Sequence, residues 1–441
     1  MNIKYYEKKY ETIDRSELSR IQTERLKKTL KLIFSGGGFL KTRLREYGIK
    51  NLGDIEKIKS IDDELKNMPF TYKSDLVNNY PFGIFSSPLN KIIRIHASSG
   101  TTGKPIIAGY TKNDIKTWSK LMARVFCAAG ISKNDIAQNA YGYGLFTGGL
   151  GFHYGAQELG LMIIPMSTGF TERQLTMMQD IGATVLFCTP SYALFLSEEI
   201  NKKISDKSNI KLKKGIFGAE PWSNELRQKI ESSLKIDAYD IYGLSEIIGP
   251  GVAYECVYKD GLHINEDNFF PEIINPKTGE VLKDGETGEL VLTSLNREAM
   301  PVIRFRTKDI TRLTREECRC GRTFVRMDKI KGRTDDMIIL KGVNVFPSQI
   351  ESVLFKLDYL EPVYLIELYT ENLLDKMNII IEPKEEIFNG GEAKIEAVTQ
   401  EISHKIYELI GIRAKITAVP PKTIERSQGK AKRINDLRKK L

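Results

Sequence analysis

Between residues 15 and 32 apolar side chains recur at helical spacing among charged ones: Leu18, Ile21, Leu26 and Leu30. That spacing predicts an amphipathic helix. Farther along, the pattern becomes short apolar runs: Met162-Ile-Ile-Pro165, Thr184-Val-Leu-Phe-Cys188 and Gly215-Ile-Phe-Gly218. Stretches of helical period, 171–181 and 224–234, separate them. Strand–helix alternation of this kind predicts an α/β core with a largely parallel sheet. After about residue 272 turn signals take over, Pro276-Lys-Thr-Gly279 and Lys283-Asp-Gly-Glu-Thr-Gly288, beside the run Glu289-Leu-Val-Leu-Thr293. This texture predicts antiparallel β structure. From Phe346 onward the pattern predicts helix 348–357, strands 362–369 and 376–382, helix 391–409 and strand 414–419, a small α+β unit of about 100 residues. The polar stretch Lys331-Gly-Arg-Thr-Asp-Asp336 between the two parts suits a hinge. No internal repeat or low-complexity segment interrupts the chain.

The 441 residues exceed one ordinary core and predict two or three domains. A hydrophobic share of 41% with 28% charged residues describes a water-exposed globular chain. No apolar run reaches the ~20 residues of a membrane span, and the start lacks the apolar segment of a secretory signal. Five cysteines make no disulfide scaffold and fit a reducing cytoplasm. The net charge of +9 sits partly in the tail. Elsewhere lysines interleave with acids and no aromatic–basic stripe appears, which argues against a nucleic-acid partner.

The densest chemistry lies in His96-Ala-Ser-Ser-Gly-Thr-Thr-Gly-Lys-Pro105. Gly100 and Gly103 permit tight turns with N–H groups aimed at a ligand. Ser98, Ser99, Thr101 and Thr102 add hydroxyl donors, and Lys104 a mobile charge. The set suits a polyphosphate. It is not a Walker A loop, because the glycines are too close and Pro105 replaces the magnesium-binding hydroxyl. A second cluster combines Cys256 and His263 with Cys318-Arg-Cys320-Gly. Three thiols and an imidazole suit structural zinc, although the spacing is not that of a zinc finger and reduced thiols on a loop remain the competing reading. Cys127 and Cys188 sit in apolar surroundings and read as buried.

Further motifs follow in order: Tyr141-Gly-Tyr-Gly-Leu-Phe-Thr-Gly-Gly-Leu-Gly151, Gly218-Ala-Glu-Pro-Trp222, Tyr239-Asp-Ile-Tyr-Gly-Leu-Ser-Glu246, Pro271-Glu-Ile-Ile274, Gly342-Val-Asn-Val-Phe-Pro347 and Arg426-Ser-Gln-Gly-Lys-Ala-Lys-Arg433. With the loop at residue 98 they resemble the adenylate-forming superfamily of acyl-CoA ligases, and more narrowly its phenylacetate–CoA ligases. The resemblance spans nearly the whole chain. It implies an α/β fold with a large N-terminal adenylation domain, residues 1–334, holding mixed and parallel sheets and a β-rich subdomain. A mobile α+β domain, residues 335–441, would follow. The implied reaction joins an aryl acid, phenylacetate-like, to AMP with loss of pyrophosphate, then transfers the acyl group to CoA. The early motifs serve ATP and therefore leave open a carrier protein as acceptor, or a coenzyme F390 synthetase-like nucleotidyl transfer. A binding protein without catalysis would not need Glu246, Asp309 and Lys430 together.

The resemblance also implies roles. Residues Ser98 to Lys104 would hold the β- and γ-phosphates, Glu246 a Mg2+ ion, Tyr242 the adenine and Ser245 the α-phosphate. Gly218, Ala219 and Glu220 would form the neighbouring edge of the ATP site, Asp309 and Arg333 would meet the ribose, and Asp335 would be the hinge. Lys430 would reach the α-phosphate and the acid carboxylate during adenylation, with Lys432 as a rival by position. The loop Lys341-Gly342-Val343-Asn344 would replace it and shape the thiol channel. Tyr141, Phe146, Ala219 and Pro250 would line the acid pocket. Some members of the family bind zinc at the positions of Cys256, His263, Cys318 and Cys320. Two departures touch the acid's surroundings: Thr168 and Phe170 stand where relatives are Gly- and Asn-like, and Ser35-Gly-Gly-Gly-Phe-Leu40 replaces a Pro-Phe-Tyr-like stretch. The implied partners are a small carboxylic acid and CoA, with no nucleic acid and no membrane, and a homodimer is compatible with the sequence.

Overall fold

The computed structural model describes residues 4–98, 105–335, 337–340, 343–371, 374–426, 431 and 433–438. It divides into two compact units. The first comprises residues 1–188, 206–219 and 237–329, the second residues 189–205, 220–236 and 330–441.

In the first unit the predicted opening helix runs Arg15–Gly36. Asp14 caps it by accepting from the Glu17 N–H, which satisfies one of the free donors of the first turn. Leu18, Leu26 and Leu30 are fully buried along one face. The helix ends where Gly37 and Gly38 take left-handed backbone conformations. Gly36 lies so close to Ser86 that a Cβ would stand 2.1 Å from its carbonyl oxygen.

The apolar runs join one nine-stranded sheet, in which Met162–Ile164 is an edge strand. Strands Met162–Ile164, Ile136–Asn139, Val185–Cys188, Lys214–Gly218 and Asp237–Leu244 follow one another side by side, all parallel. Burial on both faces explains why Val185–Cys188 and Lys214–Gly218 read as continuous apolar runs, whereas the edge strand Met162–Ile164 leaves Met162 exposed. The sheet then changes character. Gly249–Glu255, Leu262–Ile264, Arg326–Met327 and Leu313–Thr314 continue it antiparallel. The parallel expectation thus holds for one half only, because strand 237–244 returns directly to its neighbour without a crossover helix. A separate antiparallel set, Phe269–Ile274, Gly288–Ser294 and Phe305–Thr311, matches the turn-rich region.

In the second unit the predicted α-β-β-α-β order appears as Pro347–Leu354, Leu360–Glu371, Leu374–Pro383, Glu392–Ile410 and Lys415–Ala418. The sheet has a further edge strand, Ile434–Asp436, parallel to Leu360–Glu371. Its three residues, Ile-Asn-Asp, carry no alternation that sequence reading could detect. Helices Pro190–Lys203 and Asn224–Leu234 complete this unit. Among the described residues no helix is long and apolar enough to cross a membrane.

Candidate active site

In the first unit two paired strands flank the Gly/Ser/Thr stretch in the sequence. Strands Arg94–Ala97 and Ile107–Tyr110 pair antiparallel, and the Ser98 N–H donates to the Ile106 carbonyl, 3.0 Å. Ser99, Gly100, Thr101, Thr102, Gly103 and Lys104 lie outside the described residues. His96 meets Tyr110 and Trp118 edge-on. Burial, aided by the charge of Arg94, pushes its imidazole down to about 4, so the ring is neutral near pH 7.

The wall predicted for the acid owes its shape to glycines. Tyr141 is buried and stacks on Phe152 with ring centres 4.8 Å apart. Phe146 precedes helix Thr147–Leu159 and stays partly exposed. A Cβ on Gly148 would come within 2.7 Å of the Phe146 ring and 3.3 Å of Tyr141. On Gly151 it would meet Trp118 at 2.4 Å and Pro250 at 2.9 Å. The glycines therefore let Tyr141, Phe146 and Pro250 approach one helix end. Thr168 stands against Gly142, at 3.7 Å from a Cβ built there. Phe170 is 71% exposed in a left-handed conformation, with Arg173 over its ring. The glycine stretch at 36–38 packs instead on Ser86 and Gly83.

We expect Gly148→Ala to displace Phe146, the more exposed ring, and to lower kcat/KM for the acid by about tenfold while KM for ATP holds. Steady-state kinetics with each substrate varied in turn checks this. An unchanged kcat/KM for the acid would remove Phe146 from the pocket.

Strand 237–244 positions the next group. Its ladder with Gly249–Glu255 is regular to Tyr242↔Ala253, then jumps to Gly243↔Pro250. The bulge brings Gly243 so near Gly249 that a Cβ would stand 2.0 Å from the Gly249 carbonyl oxygen. The Tyr242 hydroxyl donates to Asp309 Oδ2 at 2.6 Å. Asp309 belongs to strand Phe305–Thr311, and its N–H donates to Thr307 Oγ1. Two residues 67 positions apart, one predicted for adenine and one for ribose, are thus joined. Ser245 and Glu246 follow the strand, both largely buried. The Ser245 hydroxyl is 3.2 Å from that of Thr147.

Sequence reading missed Arg297. Its guanidinium donates to the carbonyls of Gly109 (3.2 Å) and Glu246 (3.4 Å) and covers the Tyr110 ring. It ties strand Ile107–Tyr110 to the turn that carries Glu246. Nothing in the local spacing of Leu295-Asn-Arg-Glu298 marks it.

Gly218 ends strand 214–218 and Ala219 follows it. A Cβ on Gly218 would collide with the Ile241 carbonyl at 2.3 Å, and Ala219 is left-handed and exposed. In the second unit, Glu220 accepts from the N–H groups of Ser191 (2.8 Å) and Ala431 (2.9 Å). Arg333 pairs with Asp335 through two contacts, 2.9 and 3.2 Å. Strands Ile338–Leu340 and Val343–Val345 pair antiparallel. Lys341, Gly342, Lys430 and Lys432 lie outside the described residues, as does the side chain of Asn344.

The second cluster converges in the first unit. The ligand atoms of Cys256, His263, Cys318 and Cys320 all lie within 4.8 Å of one another, and all four residues are buried. Cys256 Sγ and Cys318 Sγ are 3.7 Å apart, and Cys320 Sγ is 3.4 Å from His263 Nε2. A zinc tetrahedron with ~2.3 Å Zn–S bonds has edges of about 3.8 Å, so the donor set fits that ion. Strand pairing Arg326↔His263 draws the two halves together. Hydrogen bonding from Cys256, Cys318 and His263 holds the Cys320 thiol below the usual range. The N-terminal segment closes over the cluster: the Tyr5 hydroxyl donates to the Cys320 carbonyl, and buried Glu11 pairs with Arg322 at 2.8 Å.

Residues 85–296 match the AMP-binding enzyme family, and residues 342–438 match the AMP-binding enzyme C-terminal domain. A phenylacetate–coenzyme A ligase of Thermus thermophilus is 44% identical over 98% of this chain and 100% of its own length. One from Escherichia coli (strain K12) is 46% identical over 97% of each chain. The crystal structure of 2-hydroxyisobutyryl-CoA ligase in the postadenylation state in complex with 2-HIB-AMP has a TM-score of 0.90 and 27% identity, covering 97% of this chain and 91% of that one. Fold and site together define an AMP-forming acid–thiol ligase of the adenylate-forming class. Within that class, the chain belongs to the phenylacetate–CoA ligase family.

Proposed function

We propose that this chain converts an aryl acid of the phenylacetate class to its acyl-adenylate, releasing pyrophosphate, and then to the CoA thioester. The observation that carries this reading is the shared strand pair: Tyr242, bonded to Asp309, lies on the strand next to Pro250 of the aromatic wall. A nucleotide site and an apolar acid site then meet along one ladder. The names and full-length coverage of the relatives support CoA as acceptor over a carrier protein or a cofactor.

Adenylation drives a carboxylate against a phosphate, so the site must offset charge and hold two anions in line. Asp309 would accept from the ribose hydroxyls, with Tyr242 fixing its carboxylate and lying against adenine. Ser245 would donate to the α-phosphate, Gly218 and Ala219 would let the nucleotide approach the backbone, and the loop 98–104 would hold the leaving pyrophosphate. Lys430 would supply positive charge to both reacting anions. Glu246 suits Mg2+, which would neutralise phosphate oxygens. Residues 335–441 would rotate about Asp335 relative to residues 1–334 after adenylation. That motion would exchange Lys430 for the loop at Lys341–Asn344. The Asp335 carboxylate holds Arg333 beside this pivot.

The test measures products over a panel of aryl and alkyl acids with and without CoA. AMP, pyrophosphate and an arylacetyl thioester are expected. ADP in place of AMP would refute the mechanism, and adenylation without thioester would reassign the acceptor.

The Cys256, His263, Cys318 and Cys320 set would hold one structural zinc, because four protein ligands leave no open position. Metal analysis of protein purified without added zinc should give about one ion per chain. Cys318→Ser with Cys320→Ser should lower Tm by several degrees, roughly the loss of a folding-coupled ion, while KM for ATP holds. Metal-free protein of full stability would show four ordinary side chains.

A further inference from the structure

Glu220 lies in the motif that the resemblance assigns to ATP, yet both of its carboxylate oxygens are engaged by protein backbone. Oε1 accepts from Ser191, the second residue of helix Pro190–Lys203, and Oε2 accepts from Ala431. Ala431 directly follows Lys430 in the chain. Two residues further on, Arg433 is held by a second acid. Glu351 is buried, accepts from the Ser223 N–H (3.2 Å) and the Tyr364 hydroxyl (3.3 Å), and stands 3.8 Å from the Arg433 guanidinium. That guanidinium covers the Tyr364 ring at 4.7 Å, and the Arg433 carbonyl accepts from the Ile366 N–H. The described residues just after Lys430 are therefore fixed at two points, by one acid on their backbone and another on their charge.

We propose that Glu220 and Glu351 are positioning residues that hold Ala431 and Arg433, and act through them on Lys430, for the adenylation half-reaction alone. A carboxylate accepting two N–H groups makes charge-assisted bonds of the stronger kind. Its reach is two-sided: one oxygen is anchored on a helix start, so the other is a fixed acceptor for the tail. Burial raises the Glu351 carboxyl although Arg433 opposes it. This inference rests on the reading of Lys430 as the adenylation lysine.

The experiment uses the full chain and the variants Glu220→Gln, Glu351→Gln and Lys430→Ala. Glutamine offers one acceptor oxygen, so it can serve Ser191 or Ala431 but not both. Three quantities are read: acid-dependent ATP–pyrophosphate exchange, thioester formation from supplied phenylacetyl-adenylate with CoA, and Tm. Glu220→Gln should lower the exchange kcat about ten- to a hundredfold, the usual cost of a lost bond to a charged acceptor. KM for ATP, thioester formation and Tm should hold, and the substitution should add nothing on the Lys430→Ala background. Glu351→Gln should show the same split more weakly. A raised KM for ATP at constant kcat would make Glu220 a nucleotide ligand instead. Equal losses in both half-reactions with a lower Tm would make it a structural cap. Normal exchange in Glu220→Gln beside a crippled Lys430→Ala would overturn the positioning role, whereas normal exchange in Lys430→Ala would overturn the reading of that lysine. If Glu220→Gln fails to fold, Glu351→Gln decides by the same criteria.

Discussion

Lys430→Ala is expected to slow acid-dependent adenylation by a factor of ~10²–10³, the typical cost of removing one charge-stabilising contact from a transition state. In the first half-reaction a carboxylate and a triphosphate approach within bonding distance. A flexible ammonium can serve both and then withdraw. Thioester formation from a supplied acyl-adenylate develops no such repulsion and should be almost unaffected. Lys432→Ala is the control, because it removes an equal charge two residues away. The measurement is pyrophosphate exchange against thioester formation in the same preparations. Equal loss in both steps, or equal loss from Lys432→Ala, would assign the effect to the basic tail as a whole.

Asp309→Ala should raise KM for ATP by roughly 10–100-fold, since it removes the charged acceptor proposed for the ribose hydroxyls. It also leaves the Tyr242 hydroxyl without the partner it now holds at 2.6 Å. Tyr242→Phe should cost less, because it removes one donor to the carboxylate but does not delete it. Affinity for the acid, measured at saturating ATP, should hold in both variants. Should KM for ATP stay constant in Asp309→Ala, the ribose assignment fails.

Much of this architecture was readable in the chain because local and tertiary demands agree. The helix at residue 15 combines an Asp cap with a single apolar face, and the inner parallel strands Val185–Cys188 and Lys214–Gly218 are apolar because both their faces are covered. The C-terminal order of elements was legible for the same reason. What stayed hidden depends on contacts distant in sequence. The antiparallel half of the large sheet follows from a return at residues 245–248 that has no strong signature. Strand Ile434–Asp436 is stabilised by its neighbour rather than by its own pattern. The three thiols and one imidazole could be grouped from composition, but only the pairing of Arg326 with His263 explains how they converge. Arg297 gives no sequence signal at all. Glu220 was placed in its motif, while the destination of its carboxylate, 211 residues away, was beyond any local reading.

The bulge between Tyr242 and Gly243 has a bearing on how such a catalyst can be redesigned or can drift toward a new acid. Pro250 and Tyr242 sit on one interlocked strand pair, and Gly243 leaves no space for a side chain. On the proposed assignment of Tyr242 to adenine and Pro250 to the acid, enlarging or reshaping the wall at Pro250 would therefore shift Tyr242, and selection for a new acid there would be penalised through ATP. Phe146 and Thr168 lie outside that ladder. Libraries, and natural divergence, should find new acids by varying those two positions while 242, 243, 249 and 250 stay fixed.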